Sequence, residues 1–513
     1  MTSLADAQQV LREAFGHDAF RGDQADVIQR TLAGVPEHAG HSLVLAPTGS
    51  GKSLCYQIPA ILLARQGQGT TLVLSPLIAL MQDQVAALQK RGVAATFINS
   101  TLRRQDRQQR YADLAAGRFD LVYVTPERFR KADFRAALDQ ARVPLLAVDE
   151  AHCVSQWGHD FRPDYSRLDR LRQSLGQPTT LALTATATPD VQQDIIAQLG
   201  LTPGPAPHQT RTFHQGIDRP NLRLAVQHVV DDDQKLDAIL HAARHPDHTP
   251  GSGIVYFSLI KTLDAFADRL LAHRVDHLTY HGGLPRHQRR DTQHAFMANH
   301  APLVLATNAF GMGIDKPDIR FVLHAELPGS LEAYYQEIGR AGRDDKPASA
   351  TLLYDQRDLA TQMEFLRWAN PDADFYQRVV HHLQHDADRI HAQGLDFLRT
   401  QLHARQGRHD RRLDTALAML ERFGTLAPES NWRSADHPRL ILAGELAPEL
   451  LDQSRLADKL LRDQHKLLAL VQYANLHADP ALKDDADAPP DPAQASAHHA
   501  EFLNRYFAPP TTR

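Results

Sequence analysis

The chain has 513 residues, a formal net charge of −5 and two cysteines, Cys55 and Cys153. Its length implies roughly three domains, its cysteine count excludes a disulfide framework and suggests a reducing compartment, and its net charge leaves any contact with a polyanion to local patches. There is no N-terminal signal pattern and no apolar run of spanning length, so the expectation is a soluble, cytoplasmic chain.

The first apolar run, SLVLA at 42–46, reads as a short buried strand bounded by turn residues. It feeds APTGSGKS, 46–53. There Thr48-Gly49-Ser50-Gly51 bends the backbone so that its amides, with the N-terminus of the next helix, form a phosphate nest. In such a loop Lys52 reaches the β- and γ-phosphates of a nucleoside triphosphate, and the Ser53 hydroxyl ligates magnesium. Ala46 stands where the strict pattern has its first glycine.

Strand-like runs then alternate with helical stretches: TTLVLS (70–75), TFIN (96–99), FDLVYVT (119–125), PLLAVDE (144–150) and TTLALTAT (179–186). The alternation predicts a parallel sheet with helices on both faces. PLLAVDE ends in two carboxylates. Asp149 can hold magnesium, and Glu150 can orient and polarise an attacking water, because phosphoryl transfer needs positioning and charge neutralisation more than covalent chemistry.

LTPGPAPHQT, 201–210, is a Pro/Gly-rich linker. A second alternating set follows: GIVYF (253–257), DHLTYH (276–281), PLVLAT (302–307), IRFVLHAEL (319–327) and ATLLYD (350–355). Two similar α/β lobes are expected, with the nucleotide site at the carboxyl ends of the first sheet's strands, facing the second lobe. In the second lobe LEAYYQEIGRAGR, 331–343, has helical period until Gly339. Arg340 and Arg343, three apart, share a face. A guanidinium closing on the γ-phosphate contributes roughly 10³–10⁵ in rate.

Taken in order, these strings resemble the RecQ-like DNA helicases of helicase superfamily two, over roughly the first 355 residues. FGHDAFRGDQADVI, 15–28, resembles the family's adenine-binding motif, which implies Arg21 and Gln24 on the base. SPLIALMQDQV (75–85) and TPERF (125–129) resemble its strand-contacting motifs. DEAHCVSQWGHDFRPDY, 149–165, resembles its DEAH box running into an aromatic-rich loop, which implies that Trp157, Phe161 and Arg162 couple DNA to the ATP site. ALTATAT (182–188), YHGGL (280–284), ATNAFGMGIDKPDIR (306–320) and YYQEIGRAGRD (334–344) complete the set. The loop also has its own logic. Aromatic faces stack on any base, worth roughly 1–3 kcal/mol each, and the polar neighbours Ser155, Gln156, His159 and Asp160 make full burial of Trp157 and Phe161 costly.

The resemblance implies two tandem RecA-like lobes, ATP and magnesium as cofactors, single-stranded and duplex DNA as partners, and 3′-to-5′ unwinding in DNA repair or recombination. Two alternatives stay open: an RNA helicase, and a DNA-dependent ATPase that remodels or anneals DNA without net unwinding. The chain departs from the family at YFSLIKTLD (256–264), Ile338 and Asp345. It also has no cysteine after Cys153, so the family's four-cysteine zinc site is impossible and no zinc is expected.

Four domains are expected: 1–205, 206–355, an accessory region 356–450, and a C-terminal helical region 451–513 with an acidic loop at 479–496. LDTALAMLERFGTLAPE (413–429) followed by RLILAG (439–444) has the order of a winged helix, beside the basic run at 399–412. An ordinary helical accessory domain fits equally. KLLALVQYANLHAD (466–479) and HAEFLNRYF (499–507) resemble the two helices of the family's zinc hairpin without its ligands. Apolar contacts of Leu467, Leu470 and Tyr473 with Phe502, Leu503 and Phe507 are expected to hold them. His381 and His385 share a helix face but lack a third ligand at useful spacing, so that stretch reads as a solvated helix.

Overall fold

The computed structural model describes residues 3–155, 165, 168–204, 206–216, 218–245, 251–311, 314, 316–402, 410–427, 430, 432, 439–476 and 491–508. The first sheet contains β1 (Ser42–Leu45), β2 (Thr71–Leu74), β3 (Ala95–Ile98), β4 (Leu121–Val124), β5 (Leu145–Val148), β6 (Thr179–Thr184) and β7 (Arg211–His214). Its order is β3-β4-β2-β5-β6-β1-β7, with every pairing parallel. The second sheet contains β8 (Leu222–His228), β9 (Ser252–Tyr256), β10 (Leu278–Tyr280), β11 (Leu303–Ala306), β12 (Ile319–His324) and β13 (Ala348–Tyr354). It is also parallel, in the order β10-β11-β9-β12-β13-β8.

The apolar runs form these strands because a parallel sheet is covered on both faces. In the first sheet Val44, Val73, Leu145 and Leu181 face one core, and Leu43, Leu72, Leu146 and Ala182 face the other. The helix Leu54–Arg65 is buried from Cys55 through Leu63, so it lies inside the lobe rather than on its surface. Two strands were not among the sequence runs. β7 is an edge strand with its first two residues exposed, and β8 alternates apolar with polar residues and pairs on one side only, with β13. Neither carries the continuous apolar run that marks a central strand.

The chain forms two compact units. One comprises 1–328, 332–355 and 473–513, and the other 329–331 and 356–472. The boundary expected near 450 therefore falls inside the second unit, and the C-terminal region expected from 451 is shared between the units. The reason is the last helix, Pro492–Phe507, which packs along β8 and receives the Leu224 amide on Ser496 Oγ at 2.9 Å. Tyr473 joins it, with ring centroids 4.6 Å from His499 and 5.9 Å from Phe502. Phe507 instead meets Tyr335 at 5.3 Å.

The second unit is helical, built around Phe375, Val379, Leu398, Leu413, Leu417 and Leu450. Its helix Arg412–Arg422 stops before Gly424, whose φ of +78° suits glycine. Leu426 then forms an isolated antiparallel bridge with Leu442. Most of the segment between them lies outside the described residues.

Candidate nucleotide site

The loop after β1 turns on two glycines at positive φ, Gly49 at +82° and Gly51 at +80°, where side chains are strained. It runs into the helix Leu54–Arg65, whose N-terminus favours anions. Lys52 Nζ donates to the Ala46 and Pro47 carbonyls at 2.8 and 2.9 Å, which holds the ammonium over the loop. Burial lowers its pKa, and the carboxylates of Glu150 and Asp149 work against that shift. Gln24 braces the loop from the other side. Its Nε2 donates to Ser50 O at 3.0 Å and Gly51 O at 3.2 Å, while its Oε1 accepts the Arg21 amide at 3.0 Å. The Arg21 side chain is exposed and lies 3.7 Å from Asp345.

Asp149 and Glu150 follow β5, with β6 between β5 and β1 in the sheet. Asp149 is 9% exposed, and burial, with the Glu150 charge beside it, pushes its pKa up to about 7. A bound divalent cation would hold such a group ionised. Glu150 adopts a left-handed backbone, φ +50°, unusual for a residue with a side chain. Its carboxylate lies 3.4 Å from His152 Nδ1, which is also 3.0 Å from Thr184 Oγ1 at the end of β6. Ser53 and Asp149 offer the hard oxygen donors that magnesium takes. Elsewhere, among the described residues, no group of three or more His, Cys, Asp or Glu stands together as a metal site. The rings of His381 and His385 lie 4.3 Å apart in a tilted arrangement, and among the described residues no third such ligand joins them.

The two arginines differ. Arg340 is 6% exposed and donates to the Gly311 carbonyl, beside the Tyr256 hydroxyl. Arg343 donates to Ile314 O at 2.9 Å, and its Cγ would lie 3.5 Å from a Cβ on Gly49. Its charge bears directly on Lys52. Arg343, from the second lobe, thus lies over the phosphate loop of the first, while Arg340 is committed to its own lobe.

Of the residues read from sequence, Lys52, Asp149, Glu150, Gln24 and Arg343 come together, and Arg21 lies at the rim. Trp157, Phe161 and Arg162 lie outside the described residues. Ser75 and Thr125, from the strand-contacting motifs, are buried at the ends of β2 and β4. Sequence reasoning missed three groups: His152, Arg219 and Asn221. His152 was visible as part of AVDEAH. Arg219 and Asn221 carried no signal, because polar residues on a connecting segment between lobes read as solvated.

Residues 21–195 match the DEAD/DEAH box helicase family and residues 233–345 the helicase conserved C-terminal domain. The chain is 42% identical over 357 residues to the ATP-dependent DNA helicase RecQ of Bacillus subtilis, a match covering 69% of this chain and 57% of that protein. It is 39% identical over 393 residues to the probable ATP-dependent DNA helicase RecS of the same species, covering 76% of this chain and 74% of the relative. The chain spans about half the length of the RecQ relatives it matches, 57% and 53% for those of Bacillus subtilis and Pasteurella multocida. Among solved structures, the DEAD-box helicase Mss116 bound to ssRNA and UDP-BeF superposes with a TM-score of 0.55 at 17% identity. That likeness, covering 70% of this chain and 76% of the other, is one of fold.

Proposed function

The chain belongs to the RecQ-like helicases of superfamily two, and from that membership we propose that it is an ATP-dependent helicase that unwinds duplex DNA, travelling 3′ to 5′, in repair or recombination. The observation that carries the reading is the composite site. The first lobe supplies the phosphate loop and the Asp149-Glu150 pair, and the second lobe supplies Arg343 over Gly49. A site divided in this way converts nucleotide binding into lobe closure.

In this reading Lys52 and the loop amides cradle the phosphates, and Arg21 and Gln24 take the base. Magnesium, held by Ser53 and Asp149, would neutralise phosphate charge. Glu150, oriented by its fixed backbone and by His152, positions the attacking water. Arg343 meets the charge that develops in the transition state, with Arg340 holding the turn beneath it. Trp157, Phe161 and Arg162 are assigned to the DNA-coupling loop. Residues 1–205 and 206–355 act as the moving lobes, and the chain needs no zinc. We assign it to the cytoplasm; among the described residues no helix is long and apolar enough to cross a membrane.

The test is strand displacement on forked, gapped and blunt DNA, with ATP hydrolysis measured in parallel and RNA duplexes alongside. ATP-dependent displacement of DNA supports the proposal. Hydrolysis without displacement favours a remodelling or annealing ATPase, and a preference for RNA favours an RNA helicase.

A further inference from the structure

Arg219 lies on the segment that joins the lobes, after β7 ends at His214 and before β8 begins at Leu222. Its guanidinium reaches four backbone carbonyls. One terminal nitrogen donates to Thr48 O at 3.2 Å and to Gly339 O at 3.4 Å; the other donates to Ala341 O and Gly342 O, both at 2.8 Å. Thr48 belongs to the phosphate loop. The other three residues frame Arg340 and lead to Arg343. A planar fork with five fixed donors can span carbonyls on two separate loops, whereas the three donors of a lysine radiate from a single nitrogen.

Two further contacts fix the same turn. Asn221 Nδ2 donates to Gly342 O at 2.7 Å and Lys346 O at 2.9 Å. Arg320, 6% exposed, pairs with Asp344 at 2.5 Å just beyond Arg343. Gly342 sits at φ +61°, so the turn itself tolerates little change. Of these side chains, Arg219 also grips the phosphate loop. Separating the two loops must break either its bond to Thr48 or its bonds to the Gly339–Gly342 turn.

We propose that Arg219 is a positioning residue for the finger: it ties the Gly339–Gly342 turn to the phosphate loop and so sets where Arg343 meets the γ-phosphate. The proposal rests on the ATPase reading given above. It makes the interlobe segment part of the closed state's geometry rather than a passive tether.

The test is steady-state ATP hydrolysis with saturating single-stranded DNA for Arg219→Ala, Arg219→Lys, Arg343→Ala and the Arg219→Ala/Arg343→Ala double variant. Affinity for a fluorescent ADP analogue and melting temperature are measured alongside. A finger misplaced by about 1 Å costs about 100-fold in kcat, so Arg219→Ala should lose on that order while ADP affinity stays within about threefold. Arg219→Lys should recover little, because one ammonium cannot span both loops. The double variant should be no slower than Arg343→Ala alone, because Arg219 acts through Arg343. A merely structural role predicts a lower melting temperature and losses that multiply in the double variant; either that pattern or a normal kcat in Arg219→Ala overturns the proposal. A wild-type protein without DNA-stimulated hydrolysis overturns the functional reading itself, and this proposal with it.

Discussion

Thr48 Oγ1 donates to the Gly339 carbonyl at 2.7 Å, a bond between residues 291 apart in sequence. It joins the phosphate loop to the turn that carries the arginines. The contact is tight enough that a Cβ on Gly339 would collide with the Thr48 hydroxyl. Gly339 is needed here for close approach of the Thr48 side chain to its backbone, not for an unusual φ.

Gly339→Ala should therefore push the lobes apart in the closed state. The expected loss in kcat is about 100-fold, the cost of a displacement near 1 Å, with folding intact. Adding Thr48→Ala removes the obstructing hydroxyl and should recover part of the rate. A Gly339→Ala enzyme with normal turnover would refute the closed-state contact.

Lys52→Ala should nearly abolish ATP turnover, by at least about 100-fold, and leave single-strand binding within about threefold. Among the described residues Lys52 bonds only to carbonyls of its own loop, so its loss leaves DNA-facing surfaces alone. Retention of most DNA-stimulated hydrolysis would mean that the loop does not hold the phosphates.

The two arginines should separate by observable. Arg343→Ala should lower kcat by about 10³ with nucleotide affinity little changed, since a finger acts on transition-state charge. Arg340→Ala should lower melting temperature as well, because its buried guanidinium holds the Gly311 carbonyl. Loss of nucleotide binding in Arg343→Ala, with normal turnover of what remains bound, would count against the finger.

Stability should fall on acidification through a group remote from the site. His41 is 3% exposed, with Nδ1 accepting the Thr180 amide at 3.1 Å. Burial comes first, then the charges of Arg172 and Arg30 and the neighbouring His208 and His38, and together they push its pKa down to about 4. Since the folded pKa lies below the unfolded one, the unfolded chain binds the proton more readily. The stabilisation is full above about pH 6.5 and is lost as pH falls toward 4, about 3 kcal/mol in all. His41→Gln should flatten the melting-temperature profile across that window; an unchanged slope would show that His41 does not titrate there.

Zinc should be dispensable. Tyr473, His499 and Phe502 pack by their rings, and there is no cysteine after Cys153. Elemental analysis should find well under one zinc per chain, and a zinc-selective chelator, with magnesium kept in excess, should leave melting temperature and unwinding unchanged. Stoichiometric zinc, or unfolding by the chelator, would overturn this and direct attention to His381 and His385.

The sequence by itself determined the elements that chemistry punctuates. SLVLA and PLLAVDE are apolar runs ending in functional residues, and they became β1 and β5 because strands buried on both faces must be apolar throughout. The glycines of the phosphate loop, the adjacent carboxylates and the arginine pair were legible for the same reason: their chemistry needs fixed residue types at short spacing. β7 and β8 left no such mark, since neither carries a continuous apolar run and both have exposed residues. Tertiary structure alone decided that Thr48 would meet Gly339, that Arg343 rather than Arg340 would lie over Gly49, and that Arg219 would join the two loops. These relationships arise from how two sheets and a short connection close on each other, across separations that no local period records. The same holds for the C-terminal region, where the last helix returned to β8 because burying Leu503 and Phe507 required a surface far earlier in the chain.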